Sequence, residues 1–117
     1  MNTTDDGLDL RIAATIRSLN DTFRTSGQGG RFIMTRGVSV MLEHLKIAAI
    51  QYVRGFCKFD ADNDPWHEHD FGSFEVQGEK LFWKIDYYDK SMESGSEDPS
   101  DPSQTTRVLT IMLASEY

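Results

Sequence analysis

A chain of 117 residues supports one domain with a single modest core, and 38% hydrophobic residues with 11% aromatics are enough to fold it, which excludes wholesale disorder. A net charge of −7 excludes nucleic acid and anionic membrane as natural direct partners, because both attract Lys and Arg; it fits either a basic protein surface as partner or a plain soluble monomer. Cys57 is the only cysteine, so no internal disulfide and no cysteine-based zinc site can form, and no apolar run approaches a membrane span.

In chain order, residues 5–24 read as an amphipathic helix with Leu8, Ile12, Ile16, Leu19 and Phe23 on one stripe. Thr4 or Asp5 is the expected cap, Asp5, Asp6 and Asp9 suit the positive end of the dipole, and Gly27 to Gly30 stop the helix. The opening MNTTDDGLDL lacks the basic-then-apolar order of a secretory signal, so a cytoplasmic setting is expected. Residues 31–37 (RFIMTRG) read as an edge strand. Ser39 offers an N-cap for a second helix over roughly 40–55, which would bury Leu42, Leu45, Ala49, Tyr52, Val53 and Phe56 and leave His44 wet. Phe56 and Phe59 around Cys57 point to a buried thiol.

Phe59 to Gly72 reads as a loop, since alternating Asp residues and Pro65 disfavour regular structure. A hairpin follows, Ser73 to Gln77 and Lys80 to Tyr88 about Gln77-Gly78-Glu79. Its second strand has a clear period of two, with Leu81, Trp83, Ile85 and Tyr87 on one side. Residues 89–105 form a long exposed loop, and Thr106 to Leu113, apolar on both faces, reads as a central strand. The expectation is a single α+β domain over 1–117: two helices packed on one face of an antiparallel sheet of about four strands, the last three strands forming a meander.

Charge is distributed unevenly along this frame. Residues 60–101 hold thirteen of the nineteen acids against three lysines, for a local charge of −10, while the rest of the chain sums to +3. Self-repulsion of that size is unfavourable for compactness and is tolerated for solubility or for a partner.

Three constellations bear on chemistry. Asp60-x-Asp62-x-Asp64 resembles the start of a calcium loop, but Pro65 and Phe71 stand where an EF-hand needs Gly and Glu, leaving side-chain-to-backbone turns as the alternative. Glu68-His69-Asp70, with His67, is the candidate catalytic or metal cluster. Imidazoles two apart on a strand would point the same way, with Asp70 or Glu68 to complete a shell, but a third or fourth ligand would have to come from elsewhere. No metal site is expected, and Asp64, His67 and His69 are the residues that could contribute to one. Gln28-Gly29-Gly30 is too short for a phosphate loop and lacks its lysine. Trp66, Trp83, Tyr87 and Tyr88 lack the surrounding bases of a nucleic-acid platform, and Trp83 and Tyr87 are more simply core. No cofactor is implied.

Asp62-Asn63-Asp64-Pro65, Glu68-His69-Asp70-Phe71-Gly72, the run Phe82 to Asp89 and the run Thr106 to Leu113 together resemble the signature blocks of an uncharacterised bacterial family of short proteins. The resemblance covers residues 31–117. That family is defined only as a domain of unknown function; the resemblance implies a mobile-element setting and assigns no catalytic residue.

Two functions from different classes follow as expectations. The first is a non-enzymatic acidic binding protein whose carboxylates mimic nucleic-acid phosphates on the basic surface of a nucleic-acid-binding protein or complex. An anti-CRISPR-like inhibitor of a host defence complex is the concrete version. Asp60, Asp62, Asp64, Glu93, Glu97, Asp98 and Asp101 would supply the charge, and Trp66 an apolar anchor. The second is a small metal-dependent hydrolase or nuclease using Glu68, His69 and Asp70.

Overall fold

The computed structural model describes residues 3–117, with side chains from Gly7 onward. The expected cap at Thr4 or Asp5 and the dipole role of Asp5 and Asp6 fall outside the described side chains. In chain order the elements are helix α1 (Thr3–Ser26), strand β1 (Gly30–Met34), the short helix α2 (Arg36–Ser39), helix α3 (Glu43–Arg54), strands β2 (Phe71–Val76), β3 (Glu79–Tyr88) and β4 (Thr106–Leu113), and a terminal 3₁₀ turn (Ala114–Glu116). The architecture is the expected α+β one. The four strands form one sheet in the order β1-β4-β3-β2, with β1 at an edge and β4 inside.

The last three strands pair antiparallel as a meander, while β1 runs parallel to β4, so the sheet is mixed rather than wholly antiparallel. The meander follows from local chemistry. Gln77 and Gly78 both take positive φ (54° and 80°), the two-residue turn whose twist matches a hairpin, and the register that results puts Leu81, Trp83 and Ile85 on the inner face. All three are buried, as are Leu109 and Ile111 opposite them. On the outer face of β4, Val108, Thr110 and Met112 are buried as well, which explains why this strand is apolar on both sides.

The inner face is closed by aromatic contacts. Phe23 of α1 meets Phe32 edge-on at 5.2 Å, and Phe56 meets the fully buried Trp83 at 5.5 Å. Gly72 is the residue that lets Trp83 lie against the sheet, because a Cβ there would come within 2.4 Å of the indole Nε1 and 2.6 Å of Phe56 Cζ. Gly72→Ala should therefore destabilise the fold by about 1–3 kcal/mol through overpacking, read as a lower denaturation midpoint at unchanged m-value.

Four local expectations are corrected. The α1 stripe is core only from Ile16 onward: Ile16 and Phe23 are buried, whereas Leu8 and Ile12 are exposed. The second helix is broken. Residues 36–39 make their own turn, the Ser39 hydroxyl donates to the Arg36 carbonyl instead of capping, and α3 starts after Leu42 with no side-chain cap. The break seats Val38 in the core and leaves Val40, Leu42 and Tyr52 exposed. The N–H of Gly37 in the first turn of α2 is satisfied by Glu116, whose carboxylate also accepts from Thr35 and the Leu113 N–H. Finally, Cys57 is exposed, because the chain beyond α3 turns Phe56 and Phe59 onto Trp83 and leaves Cys57 and Lys58 between them outside.

Candidate functional site

Two acidic loops lie towards the end of the sheet where β3 finishes and β4 begins. The second, residues 89–105, connects those strands directly and is pinned by a bridge between Tyr88 and Gly95. The first, residues 55–70, reaches the same end because its last residues run on along β3: the Ile85 N–H donates to the Asp70 carbonyl at 2.8 Å, beyond the last paired residue of β2.

A buried polar node holds both. Asn20 of α1 is fully buried; its amide donates to the Glu68 carbonyl (2.9 Å) and the Tyr87 hydroxyl (2.8 Å), while its oxygen accepts from Arg107 Nε (2.7 Å). The Tyr87 hydroxyl donates in turn to the Glu68 carboxylate at 2.8 Å, and Arg107 donates through Nη2 to the Pro99 carbonyl in the second loop. Burial raises the Tyr87 phenol well above its ordinary range and lowers the Arg107 guanidinium from its usual value. Each polar group satisfies another, so the node tolerates burial and fixes the loops relative to α1. Neither Asn20 nor Arg107 was singled out from sequence. A signal exists for both: Asn20 interrupts the Ile16–Phe23 stripe at helical spacing, and Arg107 alternates inward with Leu109 and Ile111.

Glu68, His69 and Asp70 are neighbours but do different work. His67 and His69 both take positive φ (59° and 56°) in a loop, so the expectation of two imidazoles aligned on a strand is wrong. His67 is exposed, and its carbonyl accepts from Arg17. The His69 ring stacks flat on Phe59 at 3.8 Å, with Nδ1 at 2.8 Å from Asp21 and Nε2 at 3.6 Å from Asp64. Asp64 is buried, with its other oxygen accepting the His69 N–H, so it is a loop-bracing residue and not a displayed charge. Among the described residues no three His, Cys, Asp or Glu side chains converge as a metal-holding set.

Asp70 lines a shallow cleft of about 410 Å³ with Lys84, Asp86 and Trp66. Burial first, then the Glu68 carboxylate, raises its carboxyl from 3.8 to about 6. Between these values the folded chain holds a proton that the unfolded chain has released, so stability rises as pH falls from above 6 towards 3.8. Thermal melts should show that rise, and Asp70→Asn should flatten it; an equal rise in the variant would assign it to the general negative charge instead.

The remaining acids divide into two groups. Asp60 accepts the N–H groups of Asp62 and Asn63; Asp98 holds Ser100; Asp101 holds Ser103 and Gln104. These are turn-forming carboxylates, and the Ser103 hydroxyl keeps Asp101 below its usual range. Asp62, Glu93 and Glu97 are exposed, and their side-chain oxygens accept no hydrogen bond among the described residues. Trp66 is 74% exposed; it shares the Asp70 cleft with Asp62 and Asp86, and it lines a groove of about 400 Å³ with Leu10, itself 66% exposed, Asp9, Ala13, Pro65 and His67. A bare tryptophan and leucine edged by carboxylates have the composition of an interface anchor.

These features define a small α+β domain that presents an acid-rimmed apolar patch on loops braced by a buried polar node. The chain belongs to the family described as "Protein of unknown function (DUF3768)", whose model matches residues 34–116 and so takes in both loops, strands β2 to β4 and only the last residue of β1. No curated protein matches the chain, and no solved structure does.

Proposed function

We propose that the protein is a non-enzymatic acidic binding protein that seats on the basic surface of a nucleic-acid-handling protein, its carboxylates standing where phosphates would. The observation that carries this reading is the Asn20–Tyr87–Arg107 node, which ties both acidic loops to one end of the sheet. Asp62, Glu93 and Glu97 supply free charge, Asp60, Asp98 and Asp101 supply charge on rigid turns, and Trp66 with Leu10 supplies the apolar contact. In the mobile-element setting that the family resemblance implies, the target is a host defence complex and the effect is inhibition.

The test is binding to a purified candidate target across a salt series, with duplex DNA as competitor. Affinity should fall by roughly tenfold or more between about 50 and 300 mM salt, and DNA should displace the protein. Salt-insensitive binding, or a ternary complex with DNA, would overturn mimicry.

The metal-dependent hydrolase has less to support it. Glu68 is engaged by Tyr87, His69 is held between Phe59, Asp21 and Asp64, and Asp70 alone faces an open cleft.

A further inference from the structure

A second cleft lies away from the Trp66 patch, between the C-terminal half of α1, the Gln28-Gly29-Gly30 turn into β1, and the end of the second loop. It encloses about 440 Å³, within the range of small-ligand sites. Three bases line it, Arg31, Lys90 and Arg107, together with the hydroxyl residues Thr22, Thr105 and Thr106. No acid lines it, in a chain with nineteen acids and twelve bases. We propose that this cleft binds a phosphate-bearing small molecule.

Arg107 carries the argument. Its residue exposure is 3%, yet no carboxylate stands within ion-pair distance of it among the described residues. Nε serves Asn20 and Nη2 serves Pro99, both neutral acceptors. Among the described residues its remaining Nη makes no hydrogen bond, and it is not one of the sealed-off side-chain atoms without partners, which are Arg24 Nε and Trp83 Nε1. Arg107 is itself one of the residues that line the cleft. The Glu68 carboxylate and the Tyr87 ring, 5.2 Å from the guanidinium carbon, offset its charge without a direct ion pair, and its planar fork suits a phosphoryl group.

The glycine turn contributes too. A Cβ on Gly30 would sit 2.5 Å from the Arg107 carbonyl, so only glycine lets the turn lie this close to Arg107. The lysine that this short motif lacks in sequence is supplied across the fold by Lys90. Asp101 feels the charge of Lys90, but its carboxylate is already occupied by Ser103 and Gln104.

Calorimetric titration of the full chain with inorganic pyrophosphate and with AMP, at ionic strength fixed by NaCl, tests the site. Saturable one-to-one binding is expected. Arg31→Ala with Lys90→Ala removes two exposed cations without touching the node and should weaken binding roughly a hundredfold, about tenfold for each charge-assisted contact. Arg107→Lys keeps the charge but loses the fork and should cost roughly tenfold. Tighter binding of AMP would assign a nucleotide ligand, and tighter binding of pyrophosphate an inorganic or polyphosphate one. No saturable heat with either anion, or undiminished affinity in the double variant, overturns the proposal.

Discussion

Asn20→Ala should remove about 3–5 kcal/mol of folding stability, a large share of what a domain of this size possesses. Alanine leaves Arg107 Nε without an acceptor, strips the Tyr87 hydroxyl of a donor and leaves the Glu68 carbonyl unbonded, in a node where Asn20 and Arg107 are buried and Tyr87 and Glu68 half-buried. Urea denaturation measures the loss. Limited proteolysis adds a local readout: under conditions where the variant is still folded, cleavage within 60–70 and 89–105 should accelerate together, since one residue anchors both. A loss under about 1 kcal/mol, or acceleration in one loop only, would mean that the node is not the shared anchor.

The second large effect concerns binding. Trp66→Ala should weaken the complex with a basic target by about 2 kcal/mol or more, chiefly by faster dissociation, because a bare tryptophan in a groove with Leu10 has the exposure of an interface anchor. Asp62→Asn with Glu93→Gln and Glu97→Gln should act differently, slowing association and flattening the salt dependence. All four side chains are exposed, so melting temperatures should hardly move, and surface plasmon resonance can separate the two effects. Equal kinetics for wild type and both variants would place the interface elsewhere.

Much of the fold was legible in the residues because local chemistry dictates it. The alternation from Leu81 to Tyr87, the Gln77-Gly78 turn and the doubly apolar Thr106–Leu113 run each specify a strand and its position before any tertiary contact exists. What periodicity does not encode is strand direction between distant segments, so the parallel pairing of β1 with β4 was not readable. The break before α3 was hidden for a related reason: Val40, Met41 and Leu42 continue an apolar pattern, and only the need to seat Val38 under the sheet, with Glu116 satisfying the Gly37 N–H, interrupts it. Cys57 misled because its aromatic neighbours are core and it is not.

The candidate surface was half legible. The charge split and Trp66 were visible as composition, but their arrangement depends on Asn20 and Arg107, separated by 87 positions. Asp64 shows the limit of counting charges. It stands in an acidic run, yet its carboxylate is turned inward to the His69 N–H and ring. A carboxylate able to satisfy nearby donors is drawn into the structure; one without a partner stays in water, as Asp62 does.

Hydrogen–deuterium exchange on a complex with a basic target tests most directly whether the two loops act as one surface. Protection should appear together in residues 60–68 and 89–101, with α3 and the outer edge of β2 unchanged. Protection confined to α3 and β2, with both loops exchanging as in the free protein, would contradict the account.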